Sequence, residues 1–394
     1  MADDRPRRAN PITHIVGPFT RTGGFYARSW GTYLDRQPDE LPVARPTISL
    51  AAQAFRDEIL LTGFSLLRKA PRADTLDRIN AEVQAAQDFY AHQGWLDDPD
   101  RFFAAPPPLT DVDVKPVSTM GRHYQRFSFD SGYEPHEGEP GRERWMSYRR
   151  DNREYGLIFR HRRPRPWLIC VHGAEMGRAA LDPMLFNAWH LYRNRDLNVA
   201  LPVLPLHGPR SGPARFPSED VLDDVHGAAQ SVWDIRRLIT WIRTEEPGAK
   251  IGLYGISLGG LISSLVASLD DTLACAILGV PAVDVVNLVG RHAGLSGHTA
   301  LGHTMTAARP LGRMISPLAL TPRVPMDGRF IYAGVADRLV HPRDQVTRLW
   351  EHWGKPEISW YPGGHTGFFR SRPVQRFIDD ALVQSGLVDP ARHR

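Results

Sequence analysis

The sequence predicts an α/β fold built around a mostly parallel sheet. Three observations lead to this prediction. Short, continuous apolar runs of strand length recur between about residues 120 and 361, as in strands that are buried on both faces. Stretches with helical spacing of apolar residues separate these runs, which is the order that βαβ units require. With 394 residues, of which 42% are hydrophobic, the chain is long enough for one large domain and an extension.

The N-terminal part of the chain lacks this alternation. Residues 1–45 are rich in Arg, Pro and Gly without a clear period, which predicts an irregular or partly disordered arm. Residues 46–115 are predicted to form a helical extension, because apolar residues recur there at intervals of three and four. The Pro-rich segment 104–109 then breaks helical structure. We therefore expect the α/β domain to span residues 116–390.

Eight strands are predicted in or near this domain. The clearest is Trp167–Val171, which is entirely apolar and matches a buried parallel strand. A helix with Val232, Ile235 and Ile239 on one face precedes the fifth strand. The eight segments are 124–129, 154–160, 167–171, 198–201, 251–254, 273–280, 329–333 and 357–361.

One connection is much longer than the others. Residues 284–325 separate the sixth and seventh strands, whereas connections in compact domains are usually short. The segment carries enough apolar residues to cover a pocket, so it is a candidate lid. A packed helical insertion fits the same pattern equally well.

The pentapeptide GISLG, centred on Ser257, matches the G-x-S-x-G pattern of a nucleophile elbow. In that structure the serine lies on a sharp turn between a strand and a helix. The predicted strand 251–254 precedes the motif, and an apolar helical pattern follows from Leu258. Ser257 is therefore the predicted nucleophile, rather than a serine in an ordinary glycine-rich turn.

Two residues further along the chain can activate this serine. A serine hydroxyl needs a base, and His365 lies in a Gly-rich loop directly after the last predicted strand. The base needs an acid that fixes its tautomer, and Asp337 follows the seventh strand. Asp284, after the sixth strand, is the alternative acid. The order Ser, Asp, His is the one expected for this type of elbow.

The chemistry also requires backbone donors for a developing oxyanion. One predicted donor is the N–H of Leu258, which follows the nucleophile at a helix N-terminus. The second is the N–H of Ala174, in the loop that follows the strand Trp167–Val171 and begins with His172-Gly173.

Together, the GISLG pentapeptide, the His-Gly turn at 172–173, Asp337 and His365 resemble the α/β-hydrolase superfamily, over roughly residues 120–385. The resemblance implies a mainly parallel eight-stranded sheet with helices on both faces and a lid after the sixth strand. Two features depart from the family pattern. Glu175 adds an acidic group beside the predicted oxyanion loop, and the helical extension lies outside the minimal fold.

The resemblance implies a serine hydrolase that cleaves a carboxylic ester through a triad of Ser257, His365 and Asp337 and an acyl-enzyme intermediate. The expected partner is a small-molecule acyl ester. An acyltransferase or thioesterase could use the same site. A catalytically silent α/β-hydrolase fold that binds partners through its N-terminal helices is the alternative from another class.

Composition argues against other classes of function. The 48 basic residues are interleaved with 44 acidic ones, which argues against nucleic-acid binding. No secretory leader pattern and no run of 18 apolar residues is present, so we expect a cytoplasmic protein without a membrane span. Cys170 and Cys275 lie in apolar runs, which disfavours a disulfide. The spacing of His292, His298 and His303 does not match a metal motif, and we expect no metal or other cofactor.

Overall fold

The structure is a computed structural model that describes residues 11–34, 42–67, 72–119, 122–292 and 299–392. The strands found within these ranges form one nine-stranded sheet. In chain order they are β1 (Asp113–Thr119), β2 (Arg122–Asp130), β3 (Arg153–Phe159), β4 (Trp167–Val171), β5 (Asn198–Pro202), β6 (Ile251–Ile256), β7 (Cys275–Gly279), β8 (Arg329–Gly334) and β9 (Glu357–Tyr361).

Across the sheet the strands lie in the order β1-β2-β3-β5-β4-β6-β7-β8-β9. The pairs from β1 to β5 are antiparallel. All pairs from β5 through β4 and β6 to β9 are parallel. Because parallel strands share a direction, the segments that follow β4, β6, β8 and β9 all leave the sheet at the same edge, the one formed by the carboxyl ends of these strands. Every residue of the predicted site follows one of these four strands.

Within the described residues, three α-helices precede the sheet in the chain, and the others lie between its strands or after the last one. In chain order the described α-helices are α1 (Pro11–Leu34), α2 (Ile48–Leu67), α3 (Ala73–His92), α4 (Arg142–Ser147), α5 (Asp182–Leu185), α6 (Ala188–Arg193), α7 (Val221–Glu245), α8 (Leu258–Ala267), α9 (Val285–His292), α10 (Ala300–Ala307), α11 (Arg309–Met314), α12 (Val346–His352) and α13 (Arg372–Gln384).

Two hydrophobic cores lie on the two faces of the sheet. Alternate residues of β4 belong to different cores, since side chains on a strand point to opposite faces. Ile169 packs in the core that contains α7 and α8, whereas Leu168 and Cys170 pack in the core that contains α6 and α13. All five residues of β4 are buried. The predicted α/β fold with helices on both faces is therefore confirmed.

The structure corrects the prediction of an irregular N-terminal arm. Its described part, Pro11–Leu34, is the helix α1, which packs against α2. Pro18 and several glycines lower the intrinsic helix propensity of this segment, which is why its sequence does not indicate a helix. Contacts with α2 stabilise it instead, including an ion pair of 2.5 Å between Arg21 and Glu58. Residues 1–10 and 35–41 of the predicted arm lie outside the described ranges.

The predicted count of eight strands is also wrong, because β1 adds a ninth. This strand pairs only with β2 and forms the edge of the sheet. Its sequence contains Lys115 and Pro116, which weaken a strand pattern, but an edge strand tolerates a proline because one side needs no partner. The strand begins at Asp113, within the segment 46–115 that was predicted to be helical.

The described parts of the long connection, 284–292 and 299–325, form a packed helical insertion that contains α9, α10 and α11. Leu311 and Met314 are fully buried in it. The insertion contacts the N-terminal helix α3, where Thr304 donates a hydrogen bond of 2.5 Å to Asn80. This matches the second of the two interpretations of the segment, and a lid function stays a prediction.

Candidate active site

Ser257 occupies a strained turn between β6 and α8. Its backbone has φ of 57° and ψ of −114°, a conformation that L-residues rarely adopt. The flanking glycines make this turn possible, since a Cβ at Gly259 would collide with the carbonyl oxygen of Val171 and one at Gly255 with the carbonyl oxygen of Gly259. The side chain of Ser257 is half-buried. The local geometry is that of a nucleophile elbow.

Asp337 and His365 are in direct contact. The Nδ1–H of His365 donates a hydrogen bond of 2.7 Å to Oδ2 of Asp337. The other oxygen of Asp337 accepts the backbone N–H groups of Leu339 and Val340, each at 2.8 Å. Both side chains are buried, so the carboxylate is held in one orientation and fixes the tautomer of the imidazole. The Nε2 atom of neutral His365 is then free of a proton and can act as a base.

The charges around His365 favour its protonated form. Burial by itself would lower the pKa of His365. The charge of Asp337, the hydrogen bond from Asp337 and the charge of Asp57 act in the opposite direction and outweigh burial. The pKa of His365 is therefore raised above its ordinary value of 6.5.

Asp284, the alternative acid, has a different role. Its carboxylate accepts the backbone N–H of Asn287 at 3.1 Å and pairs with Arg348 at 3.2 Å. These contacts place Asp284 at the start of α9, where an aspartate caps the helix. It makes no hydrogen bond to His365 within the described structure. The structure thus brings together His365 and Asp337, not His365 and Asp284.

Ser257, Asp337 and His365 leave the same edge of the sheet, after β6, β8 and β9. Within the described residues, no hydrogen bond joins the Ser257 hydroxyl to His365. Such bonds are often long in the absence of substrate and shorten when it is bound. The role of each residue in catalysis stays a prediction.

The predicted oxyanion loop lies against the elbow. A Cβ added to Gly173 would be 3.4 Å from Cβ of Ser257 and 3.3 Å from the carbonyl oxygen of Ile256. The loop is held from its other side by His172, whose Nε2 accepts the backbone N–H of Leu204 at 3.0 Å. Since the neutral ring has one donor, Nδ1–H of His172 donates to the carbonyl oxygen of Gly173 at 2.7 Å.

Two buried histidines support this loop in their neutral form. Burial, followed by the charge of the neighbouring His207, lowers the pKa of His172 to about 3. Burial also lowers the pKa of His207 to about 4. The rings contact each other edge to face, with centroids 5.0 Å apart. Neither ring carries a proton charge near neutral pH, so the hydrogen bond from His172 to the loop persists there.

Comparison with known proteins agrees with the fold described above. A model of the family described as "Alpha/beta hydrolase domain containing 18" matches residues 220–288, the part of the chain that contains Ser257. The fold is similar to that of acetyl xylan esterase 1 from Thermoanaerobacterium sp., with a TM-score of 0.52 and 15% identity over 75% of this chain and 93% of that one. The chain belongs to the α/β-hydrolase superfamily.

Other comparisons place this α/β-hydrolase among its relatives. An acetyl xylan esterase from Paenibacillus sp. R4 has a TM-score of 0.51 and 16% identity, over 74% of this chain and 94% of that one. At this level of identity the likeness concerns the fold alone. A much nearer relative is the uncharacterized protein Rv2627c of Mycobacterium tuberculosis strain H37Rv, which is 61% identical over 385 residues, or 97% of this chain and 93% of the relative. The uncharacterized protein MT2702 of strain CDC 1551 has the same identity and coverage.

Glu175 is a departure of this α/β-hydrolase from the family pattern, and its side chain points to solvent. It lies in the left-handed region, with φ of 61°, and is exposed. Its carboxylate pairs with Arg215 at 2.9 Å, and both side chains are 41% exposed. The carboxylate of Glu175 therefore forms an exposed ion pair with Arg215, a residue outside the predicted oxyanion loop.

Sequence reasoning missed two residues beside the histidine of the site. Gln53 and Asp57 of α2 both contact the loop that carries His365. They are four residues apart and so lie on the same face of the helix, whose other residues are largely apolar. A polar pair at this spacing on an apolar helix was the available signal, but nothing local indicates what it contacts.

The remaining observations on this α/β-hydrolase concern metal ligands, membrane-spanning helices and the two cysteines. No group of His, Cys, Asp and Glu in the described ranges has the arrangement of a metal site, and His298 lies outside those ranges. No described helix combines the length and apolar character needed to cross a bilayer. Cys170 and Cys275 are both free and buried, as their apolar surroundings predict.

Proposed function

We propose that this protein is a serine hydrolase that cleaves carboxylic esters through an acyl-enzyme intermediate. The observation that carries this proposal is the 2.7 Å hydrogen bond between His365 and Asp337 at the sheet edge where Ser257 occupies its strained turn. A base oriented by a carboxylate, together with a serine on such a turn, is the arrangement that acyl transfer requires.

In the acylation half-reaction, Oγ of Ser257 forms a bond to the acyl carbon and its proton passes to Nε2 of His365. The tetrahedral oxyanion then collapses and the ester C–O bond breaks. The leaving alkoxide takes the proton from His365. Asp337 stabilises the imidazolium through the hydrogen bond from Nδ1–H and itself stays ionised.

In the deacylation half-reaction, water replaces the alcohol. His365 removes a proton from the water molecule while the water oxygen bonds to the acyl carbon. The second tetrahedral intermediate breaks its bond to Oγ of Ser257, which regains a proton from His365. The acid is released and the enzyme returns to its first state.

The proposed oxyanion donors are the backbone N–H groups of Leu258 and Ala174. Leu258 is the first residue of α8, and the first N–H groups of a helix have no acceptor within it. The hydrogen bond from His172 to the carbonyl oxygen of Gly173 supports the second donor. The C=O and N–H of a trans peptide point in opposite directions, so holding this carbonyl also sets the direction of the Ala174 N–H.

The base must be neutral before it accepts the serine proton. Because the pKa of His365 is raised, this proposal predicts that kcat/KM falls as the pH decreases through a value above the ordinary histidine pKa of 6.5. Activity should be fully retained on the alkaline side of that value.

Labelling with a fluorophosphonate probe tests the proposal. The probe forms a P–O bond with an activated serine and releases fluoride, so wild-type protein should be labelled and Ser257→Ala should not. Ser263→Ala is a matched control, because the Ser263 hydroxyl is buried in α8, the helix that follows Ser257, and has no hydrogen-bond partner among the described residues. Absence of labelling in the wild type, or labelling that survives Ser257→Ala, contradicts the proposal.

A turnover assay then separates hydrolysis from transfer to another acceptor. With p-nitrophenyl acetate, a hydrolase releases acetate and p-nitrophenol in equal amounts. An acyltransferase would instead release p-nitrophenol faster when an alcohol or thiol acceptor is added, and the acyl group would appear on that acceptor. That second result would redirect the proposal from ester hydrolysis to acyl transfer at the same serine.

A further inference from the structure

The N-terminal helix α2 lies directly against the two loops that carry Asp337 and His365. Oδ2 of Asp57 accepts the backbone N–H of His365 at 2.8 Å. The same oxygen accepts the backbone N–H of Arg338, the residue after Asp337, at 3.1 Å. We call the loop after β9 that carries His365 the base loop, and the loop after β8 that carries Asp337 the acid loop. One carboxylate oxygen of Asp57 therefore connects the main chains of these two loops.

A second side chain of α2 holds the same base loop. Gln53, one turn before Asp57, accepts the backbone N–H of Gly364 at 3.3 Å through Oε1. The helix can approach this closely because the loop has no side chains at two positions. A Cβ at Gly363 would collide with the Gln53 amide oxygen, and one at Gly364 with the Asp57 carboxylate.

The charge of Asp57 is unusual for its surroundings. The residue is fully buried, and its second oxygen, Oδ1, has no hydrogen-bond partner within the described structure. Burying a carboxylate is costly, whereas a neutral Asn at this position could accept the same two N–H groups. The hydrogen bonds alone thus do not account for an acidic residue here.

We propose that Asp57 is a positioning residue for the reaction, which holds the base loop and the acid loop together and adds a second negative charge beside the imidazolium of His365. This inference rests on the proposed function of Ser257, Asp337 and His365. It also gives the N-terminal extension a role, because α2 completes the surroundings of the site.

The groups that face Asp57 come from three elements. They are Asp337 and Arg338 in the loop after β8, Tyr361 in β9 and His365 in the loop after β9. Burial, followed by the charge of Asp337, raises the pKa of Asp57 to about 6, while His365 and the two backbone N–H groups act to lower it.

At neutral pH the carboxylate of Asp57 is therefore mostly ionised. Its charge is one of the causes that raise the pKa of His365, after the charge and the hydrogen bond of Asp337. Removing the charge of Asp57 should lower the pKa of His365 and move the acidic limb of the pH profile to lower pH. A role limited to folding would leave this limb where it is.

The test measures the rate of fluorophosphonate labelling of the full chain as a function of pH, for wild type, Asp57→Asn and Asp57→Ala. Asp57→Ala leaves two backbone N–H groups without their acceptor, so the base moves more freely and labelling at pH 8 should slow by roughly 10- to 100-fold. Asp57→Asn keeps an acceptor oxygen, so its rate at pH 8 should return to within about 3-fold of wild type. Its acidic limb should lie at lower pH than that of the wild type.

Glu58→Gln is the matched control. Glu58 is the next residue of the same helix and is also buried, but its carboxylate pairs with the side chains of Arg338 and Arg21 and not with the main chain of the base loop. Its acidic limb should coincide with that of the wild type.

The outcomes separate the two proposals. If wild type is not labelled, the proposed function fails and this inference fails with it. If wild type is labelled but Asp57→Asn has an unmoved acidic limb, the role of Asp57 is overturned while the proposed function stands. A labelling rate of Asp57→Ala equal to that of wild type overturns the positioning role in the same way. A limb that moves equally in Glu58→Gln also overturns it, because the effect would then belong to any buried carboxylate of α2.

Discussion

Two buried clusters of charge in this protein differ in the cation at their centre. In the first, Arg210 is fully buried and its guanidinium contacts Asp151, Glu154 and Asp234. In the second, the imidazole of His365 has carboxylates from Asp337 and Asp57 around it. A guanidinium stays protonated at any pH at which proteins are folded, whereas an imidazole gains and loses its proton near neutrality. The central cation of the first cluster therefore keeps its charge, whereas that of the second can exchange a proton.

The carboxylates of both clusters are buried, and burying a charged group is energetically costly. Burial raises the pKa of Asp151 to about 6, although the charge of Arg210 opposes this. The pKa values of Glu154 and Asp234 are raised by burial as well. Three carboxylates around one guanidinium exceed its charge, so the native state binds protons more readily than the unfolded chain. What such buried carboxylates can do therefore depends on whether the cation that they surround is permanent or titratable.

The largest expected effect is on activity, at the titrating centre. His365→Ala removes the proposed base and should lower kcat for ester hydrolysis on the order of 10⁴-fold. The free energy of unfolding should change by less than about 2 kcal/mol, because the carboxylates of Asp337 and Asp57 keep the backbone N–H groups that they accept. Steady-state kinetics with p-nitrophenyl acetate and urea unfolding measure the two quantities.

His352→Ala provides the control for this substitution, because His352 is an exposed histidine of α12. Its activity should match the wild type. If His365→Ala kept activity within tenfold of wild type, His365 would not be the base of the reaction. The two clusters would then not differ in the way described above.

The next effect is on stability, at the permanent cation. Arg210→Met leaves three buried carboxylates without their counterion and should lower the free energy of unfolding by about 3–5 kcal/mol. Urea unfolding at pH 7 measures this change. Arg215→Met is the matched control, because its ion pair with Glu175 is exposed and should contribute less than about 1 kcal/mol. Equal effects of the two substitutions would show that the buried cluster is not what holds this region.

The smallest expected effect is a pH dependence of stability. The native pKa of Asp151 is about 6, against an ordinary value of 3.8, so the native state gains a proton first as the pH falls. The contribution of Asp151 to stability therefore decreases as the pH rises from about 4 to about 6, and the full cost is present above that range. Relative to wild type, Asp151→Asn should gain roughly 1 kcal/mol between pH 5 and pH 8.

Urea unfolding at several pH values measures this difference, and the exposed residue Asp130 offers a control in Asp130→Asn. A difference between Asp151→Asn and wild type that does not vary with pH would mean that Asp151 titrates normally. The Arg210 cluster would then not carry surplus charge.

Much of the fold could be predicted because its strands are buried on both faces. Strands such as Trp167–Val171 and Cys275–Gly279 lie in the middle of a parallel sheet, and that burial requires continuous apolar runs. The strand Asp113–Thr119 escaped prediction because it lies at the edge, where Pro116 is tolerated. Helix α1 was not predicted, because its own residues have a low helix propensity and contacts with α2 stabilise it.

The same division applies to the candidate site. Ser257 is marked by its neighbours in the chain, since a strand, two glycines and a helix define the turn. Asp337 and His365 are marked by their places after the last strands. Asp57 carries no such mark, because its contact with His365 joins residues 308 positions apart.

Local patterns in the amino-acid sequence were enough to predict the alternation of strands and helices, the elbow at Ser257 and the order of the residues proposed to act with it. These properties depend on periodicity and on residues a few positions apart. Two contacts became visible in the folded molecule alone: His365 contacts Asp337 and not Asp284, and helix α2 holds both loops. Such contacts depend on how helices and loops pack against the finished sheet, and no local pattern in the chain specifies that packing.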